Sequence, residues 1–186
     1  MITATSSATP AISITAQATN WKNTAPRPSP SAPAQSRQGS CRARATTDKT
    51  IARTPVTDVQ YRAFVRETGH RSPRHWDEGR VPTGKENHPV VYIAWRDARD
   101  YCDWLVAETG EPYRLPSEAE WEKGARGPAT SPGGKRIYPW GDEWDASLCN
   151  AWETGVGDTK PVGAYPGGAS PYSLLDMAGN VWEWTR

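Results

Sequence analysis

The 186-residue sequence is short of several residue types, with one Phe, two Met, three Cys and three His. Its mean hydropathy is −0.76 and only 36% of its residues are hydrophobic, so no membrane span is expected. Cys41, Cys102 and Cys149 form no CxxC pair and have no His at zinc-site spacing. That argues against a disulfide framework and a zinc module, and favours a reducing compartment. No Gly-rich phosphate loop, GxSxG elbow or HExxH helix occurs. Strands do not alternate with long helices at βαβ spacing, which sets aside a doubly wound sheet.

Tryptophan, glycine and proline are abundant instead. There are 10 Trp and 7 Tyr, with 16 Gly and 17 Pro to punctuate regular structure. Nine of the ten Trp fall between Trp76 and Trp184. A helical bundle does not suit this composition; an irregular α+β or all-β domain with a Trp-bearing core does.

Charge divides the chain. Residues 1–50 carry six basic groups against one acid, and residues 51–186 carry sixteen against twenty. The first stretch, typified by Thr24-Ala-Pro-Arg-Pro-Ser-Pro-Ser-Ala-Pro33, buries too little apolar surface to offset ordering, so it reads as a disordered tail or as sequence from a mis-set start. It lacks the positive n-region and apolar core of a secretory signal. A transit peptide is a weaker reading, and so is a nucleic-acid arm, whose charges would be dilute. A cytoplasmic location without nucleic-acid or membrane partners is therefore expected.

From residue 51 the pattern is that of a folded domain. Thr57 and Gln60 form a capping box ahead of Val59, Tyr61, Phe64 and Val65, and Gly69 ends that helix. A second helix is predicted from Arg96 to Glu108, with Ala98, Tyr101, Cys102 and Leu105 on one face and Gly110 as its stop. Cys102 reads as a small buried hydrophobe there. A third helix starts after Pro116 with Ser117 and Glu120 as its capping box, faces Trp121 and Ala125 inward, and ends at Gly127. Pro89 to Ile93 reads as a short buried strand. Beyond Gly127 the expectation is loop, with ordered islands at 136–142, 161–166 and 181–185.

These blocks carry a family resemblance. Thr54-Pro-Val-Thr-Asp-Val-Gln-Tyr-Arg-Ala-Phe-Val65, His88-Pro-Val-Val, Tyr113-Arg-Leu-Pro-Ser-Glu-Ala-Glu-Trp-Glu122, Tyr138-Pro-Trp-Gly-Asp142, Pro161-Val-Gly-Ala-Tyr-Pro and Asp176-Met-Ala-Gly-Asn-Val-Trp-Glu-Trp184 follow one another. Their order resembles the formylglycine-generating enzyme family, also called the sulfatase-modifying factor domain, over residues 51–186. The resemblance implies an α+β, C-type-lectin-like fold that is loop-rich, with few short strands, about three helices and structural calcium. It also implies copper- and O2-dependent oxidation of a Cys in a sulfatase-type polypeptide to formylglycine. The family's two active-site thiols follow an Arg-Gly-Gly-Ser-Trp segment and are expected beyond Arg186, so no catalytic residue is assigned and the chain reads as a truncated member, inactive alone. Cys102 and Cys149 do not match the copper positions. A non-catalytic lectin-like binding module and an ergothioneine-synthase-like branch are the alternatives. Oligomeric state stays open.

Four residues present oxygen ligands around one tight turn: Asp176, the Gly179 and Val181 carbonyls, and Glu183. Such a set suits a hard cation of calcium's size, and by resemblance it matches a family calcium site. Alternatively, Asp176 caps a turn and Glu183 faces solvent while Trp182 and Trp184 point inward. By resemblance a second calcium set falls on Asn150, the Ala151 carbonyl and Asp158. Arg114, Glu118, Glu120 and Glu122 read as capping and ion-pair residues, because carboxylates at i and i+2 point to different helix faces. His70, His75 and His88 lie on loops and offer only a weak three-His metal reading. Trp76 and Trp152, also on loops, are the candidates for ligand contact, and the remaining Trp of the domain are expected in the core.

Overall fold

The computed structural model describes residues 10–12, 15–17, 49–128 and 136–186. Three helices dominate, and each begins and ends where the sequence signals it. In α1 (Asp58–Thr68), Thr57 Oγ1 accepts from the Gln60 N–H while Gln60 Oε1 accepts from the Thr57 N–H at 2.9 Å. In α2 (Trp95–Thr109), Asp97 Oδ2 accepts from the Ala94 N–H at 2.7 Å. In α3 (Glu118–Arg126), the Ser117 and Glu120 box is complete. These bonds, reciprocal in α1 and α3 and one-way in α2 because Ala94 has no side-chain acceptor, satisfy amides that have no partner inside a helix.

The strands are short. β1 (Pro10–Ile12) pairs in parallel with β4 (Trp182–Trp184), and β2 (Thr15–Gln17) pairs antiparallel with β3 (Lys49–Ile51). β1 and β2 fall inside the stretch read as a disordered tail, where Ala11-Ile12 and Thr15-Ala16 supply β-branched residues among smaller ones. Apart from Lys49 and Thr50 of β3, the rest of that stretch, with Cys41 and Trp21, lies outside the described residues.

One expected strand does not form. Around Pro89 to Ile93 there is a single bridge, Thr57 to Pro89, and the Val90 N–H bonds the Val56 carbonyl at 2.9 Å. Tyr92 then turns left-handed, with φ 58°, which breaks the extended run. Its ring meets His75 and lies under the Arg74 guanidinium, 4.6 Å from the charged carbon. Val90 and Ile93 are buried all the same, so the apolar pattern reported burial and not a ladder.

The principal core lies between α1 and α2. Tyr61, Phe64, Ala98, Tyr101 and Cys102 pack there with Val56, Trp76, Val90, Ile93 and Leu115. Tyr61 is its hub, fully buried and in ring contact with Phe64, Trp76 and Tyr101. A smaller cluster joins Ala125 of α3 to Leu174 and Met177. Among the described residues no helix is long and apolar enough to cross a membrane.

Indole nitrogens explain much of the tryptophan excess. Trp95 Nε1 donates to the Thr185 carbonyl at 2.9 Å, and Trp184 Nε1 to the Ile93 carbonyl at 3.2 Å. Trp121 Nε1 donates to Glu183 Oε2 at 2.8 Å, and Trp140 Nε1 to the Glu143 carbonyl at 3.0 Å. Where loops leave carbonyls without ladder partners, a Trp contributes both burial and a donor, which Phe cannot. Not every Trp is core, however. Trp182 is 53% exposed, and Trp95 and Trp144 are also open to solvent, so the expectation of a wholly buried set is corrected.

Candidate functional site

The loops from residue 145 to 184 are held by two buried amides. Asn150 Nδ2 donates to the Asp158 carbonyl at 2.8 Å and to Asn180 Oδ1 at 3.2 Å. Asn180 Oδ1 also accepts from the Lys160 N–H at 2.9 Å, and its Nδ2 donates to the Lys160 carbonyl at 3.1 Å. The backbone completes the link, since the Asn180 N–H reaches the Asn150 carbonyl at 2.7 Å. Each amide side chain thus stands in for a missing strand neighbour. Gly179 makes the approach possible. Its φ is 77°, and a Cβ there would collide with the Asn150 carbonyl oxygen. Asn180 was not among the residues anticipated; its place beside a glycine at a left-handed turn was the available signal.

Of the candidate oxygen ligands, Asp176, Gly179 and Val181 share the turn that carries Asn180, whereas the Glu183 carboxylate is directed to Trp121 of α3. Asp176 has φ 58° and is largely enclosed, and burial pushes its carboxyl above the ordinary range. The Gly163 N–H bonds its Oδ2 at 2.7 Å. The Gly179 carbonyl accepts from the Val181 N–H at 2.8 Å, which closes the turn. Glu183 lies on β4 and takes the Trp121 N–H, tying that strand to α3. The alternative in which Glu183 faces solvent and Trp182 points inward is therefore corrected: Trp182 is the exposed member of the pair. The Trp121 N–H draws the Glu183 carboxylate toward α3, and alternation along the strand turns Trp182 to the opposite side.

Asn150, Ala151 and Asp158 are also brought together, but their donors are engaged. The Ala151 carbonyl accepts from Thr154 Oγ1 at 2.6 Å and from the Thr154 N–H at 3.1 Å. Asp158 Oδ2 pairs with Lys85 Nζ at 2.6 Å, and this partner holds its carboxyl below the ordinary range. Lys85 thus places a cation at this carboxylate.

The histidines stay apart. His70 Nε2 lies 3.2 Å from Asp97, and His88 Nδ1 lies 2.8 Å from Thr159 Oγ1. His75 Nε2 is 3.8 Å from Asp58, which burial pushes up to about 7. Burial lowers both His75 and His88, the nearby Lys85 adding to the effect. Among the described residues no three His, Cys, Asp or Glu side chains gather as a metal site.

Trp76 is not an open ligand contact. It is 5% exposed and its Nε1 donates to Asp58 Oδ1 at 2.9 Å, because the loop before it folds back over the N-terminus of α1. Trp152, at 58% exposure, does face solvent. Arg114 grips Glu120 with two nitrogens at 2.8 and 2.7 Å, and Glu122 pairs with Arg126. Both are scaffold contacts, as the helix spacing indicates. Cys102 and Cys149 are free and buried, and burial pushes their thiols up to about 12 and about 11.

A family model described as the sulfatase-modifying factor enzyme 1-like domain matches residues 21–186. A hercynine oxygenase of Mycolicibacterium thermoresistibile is 36% identical over 163 residues, covering 73% of this chain and 34% of its own. A formylglycine-generating enzyme of Thermomonospora curvata is 41% identical over 116 residues, covering 55% of this chain and 34% of its own. The inactive C-alpha-formylglycine-generating enzyme 2 of Bos taurus is 39% identical over 111 residues, covering 54% and 33%. The matched stretch therefore spans about a third of the length of these curated relatives. Among solved structures, PvdO from Pseudomonas aeruginosa superposes with a TM-score of 0.53 at 25% identity, covering 75% of this chain and 57% of that one.

Proposed function

Because the chain belongs to the sulfatase-modifying factor enzyme 1-like family, we propose that it supplies the loop platform of a formylglycine-generating-type domain, with a C-type-lectin-like arrangement of short strands and irregular chain. The partner in this reading is a Cys-containing, sulfatase-type polypeptide, and the family reaction is its copper- and O2-dependent oxidation to formylglycine.

Calcium fits the donor chemistry of the turn after Leu175. Asp176 and Glu183 offer carboxylates, Gly179 and Val181 offer carbonyls, and a hard cation takes such oxygens in irregular geometry. These four residues would hold the ion, which would supply order and no redox chemistry. A positive ion beside Asp176 would also offset the cost of its burial. The Asn150, Ala151 and Asp158 set fits less well, because Lys85 occupies the Asp158 carboxylate.

Copper does not fit the described thiols. Cys102 belongs to the core between α1 and α2, and Cys149 closes the turn after Leu148. They sit on different elements and burial raises both thiols, whereas a soft copper site needs two close thiolates. That observation carries the conclusion that these two cysteines do not perform the oxidation. The test is the purified chain with copper, O2 and a CxPxR peptide, read by mass spectrometry for the aldehyde. No conversion is expected, and turnover that survives Cys102→Ala and Cys149→Ala would leave the assignment of the platform standing but overturn the inactivity. Turnover lost in either variant would overturn the copper argument itself.

A second reading rests on coverage. The hercynine oxygenase relatives align over 73% of this chain, against 55% or less for the formylglycine-generating enzymes compared above. An oxygenase partnered with a small betaine is the corresponding function, and a rise in melting temperature with hercynine would favour it over the polypeptide reading.

A further inference from the structure

Residues 136–145 carry an aromatic cluster outside the two apolar cores, with Trp140 seated against Gly168 and Trp144 left open. The turn is closed on itself: the Tyr138 N–H bonds the Gly141 carbonyl at 2.8 Å, and the Ile137 N–H bonds Asp142 Oδ1 at 3.1 Å. On it the Tyr138 and Trp140 rings stack, with centroids 5.2 Å apart and planes 5° from parallel. Trp144 leans against both, with its centroid 5.6 Å from Tyr138 and 6.4 Å from Trp140. The lower two rings are partly covered, and Trp140 is fixed further by its N–H bond to the Glu143 carbonyl. Trp144 is 38% exposed and Ile137 is 59% exposed. The sequence around Trp144 is acidic on both sides, with Asp142, Glu143 and Asp145 all exposed. The one base of this stretch, Arg136, turns its guanidinium back to the Pro139 carbonyl at 3.3 Å.

An aromatic cluster with exposed carboxylates on the residues flanking its open ring has a defined complement. An apolar partner would strand the carboxylates in a desolvated contact. A lysine would satisfy the charge but present a compact, strongly hydrated ammonium to a flat ring. A guanidinium is planar, weakly hydrated and forked, so it stacks on an indole while its edge meets carboxylates. We propose that the Tyr138–Trp140–Trp144 face docks an arginine side chain of a polypeptide partner, with the guanidinium stacked on Trp144 and its N–H groups directed to Asp142 and Glu143. The contact does not depend on cysteine oxidation.

The probe is a blocked Gly-Ser-Arg-Ser-Gly peptide, which contains no Cys, titrated into the full chain to about 10 mM, a range suited to one cation–aromatic contact. Indole N–H resonances report the position. The Trp144 signal is expected to shift while that of the more open Trp152 stays still. Trp144→Ala should weaken binding at least ~10-fold, Trp144→Phe less, and Glu143→Gln about 3-fold with a lost salt dependence. Replacing Arg by citrulline keeps the shape, removes the charge and should abolish binding. An unmoved Trp144 signal would overturn the proposal. So would equal binding of the citrulline or a phenylalanine peptide, or Trp144→Phe, which keeps a ring, binding no differently from the parent. Equal affinity for the lysine peptide would overturn the arginine assignment.

Discussion

Residues 51–127 and 136–186 are ordered by different physics. The first region has three capped helices and one apolar centre, in which Tyr61, Phe64 and Tyr101 interlock. The second has one three-residue strand and three single-turn 3-10 segments, and its order comes from side chains that bond the backbone. Asn150 and Asn180 hold three segments there, and Trp140 closes its own turn. Apolar burial is non-directional and tolerates small shifts, whereas an amide pair works only in one geometry. The first region is therefore suited to stability and the second to placing oxygen atoms.

The largest expected effect breaks the first region. Tyr61→Ala removes the ring that touches Phe64, Trp76 and Tyr101 and leaves a large void. Losses of about 3–5 kcal/mol are usual for such truncations, and the upper end is expected here. Tyr61→Phe should cost far less, because the hydroxyl is buried without a hydrogen-bond partner among the described residues. Urea midpoints of the two variants check this, and similar losses would show that the ring is not the hub.

The next effect is a pH dependence seated where the two regions differ least, in a buried polar contact of α1. Asp58 takes the Trp76 N–H and is pushed up to about 7 by burial. A carboxyl raised in the folded state gives stability that is full below the unfolded value and declines as pH rises to the folded one. Wild-type stability should thus fall across roughly pH 4 to 7 on this account, by at most about 4 kcal/mol. His75 and His88, both lowered, act oppositely and lose stability as pH falls below about 6.5. Asp58→Asn retains an acceptor for Trp76, removes the titrating carboxyl beside His75 and leaves His88 unchanged. Its stability relative to wild type should climb between those pH values and then level off. A difference that stays flat from pH 4 to 8 in denaturant titrations would refute the burial argument.

The contrast also explains what could be read from sequence. Caps, apolar periodicity and stop glycines are local signals, so α1, α2 and α3 were placed within a residue or two from Thr57, Ser117, Gly69, Gly110 and Gly127. The fate of Pro89 to Ile93 was not local. Whether it forms a ladder depended on Tyr92 turning to meet His75 and Arg74, which lie more than fifteen residues earlier. The same holds for Trp76, whose partner Asp58 is set by a loop folding back. In the second region Asp176 and Glu183 were visible as oxygen donors, but Asn180 was not, since its bonds to Lys160 and Asn150 are long-range. Lys85, which neutralises Asp158 across 73 positions, was equally hidden.

The smallest expected effect sharpens the second region. If calcium sits at Asp176, Gly179, Val181 and Glu183, it binds only the folded turn and stabilises by mass action, about 2.7 kcal/mol at a hundredfold excess over its dissociation constant. EDTA should then lower the melting temperature by several degrees, as expected for a domain of this size. Asp176→Ala should melt near the EDTA-treated temperature and ignore further chelator. Asp176→Asn separates the ion from the fold, because it keeps an acceptor for the Gly163 N–H while halving the carboxylate charge of the set. It should fold as wild type does in EDTA and need more calcium to recover. The effect should also be regional: amides of residues 158–164 and 176–184 should exchange faster without calcium, and those of α1 and α2 should not change. Uniform loss of protection would mean the two regions unfold as one unit, and an unchanged melt would remove calcium from the turn. The second result would leave that order to the asparagine pair and its neighbouring bonds, and Asn180→Ala would then have to cost more than the roughly 1–3 kcal/mol usual for exposing its partners' unmet bonds.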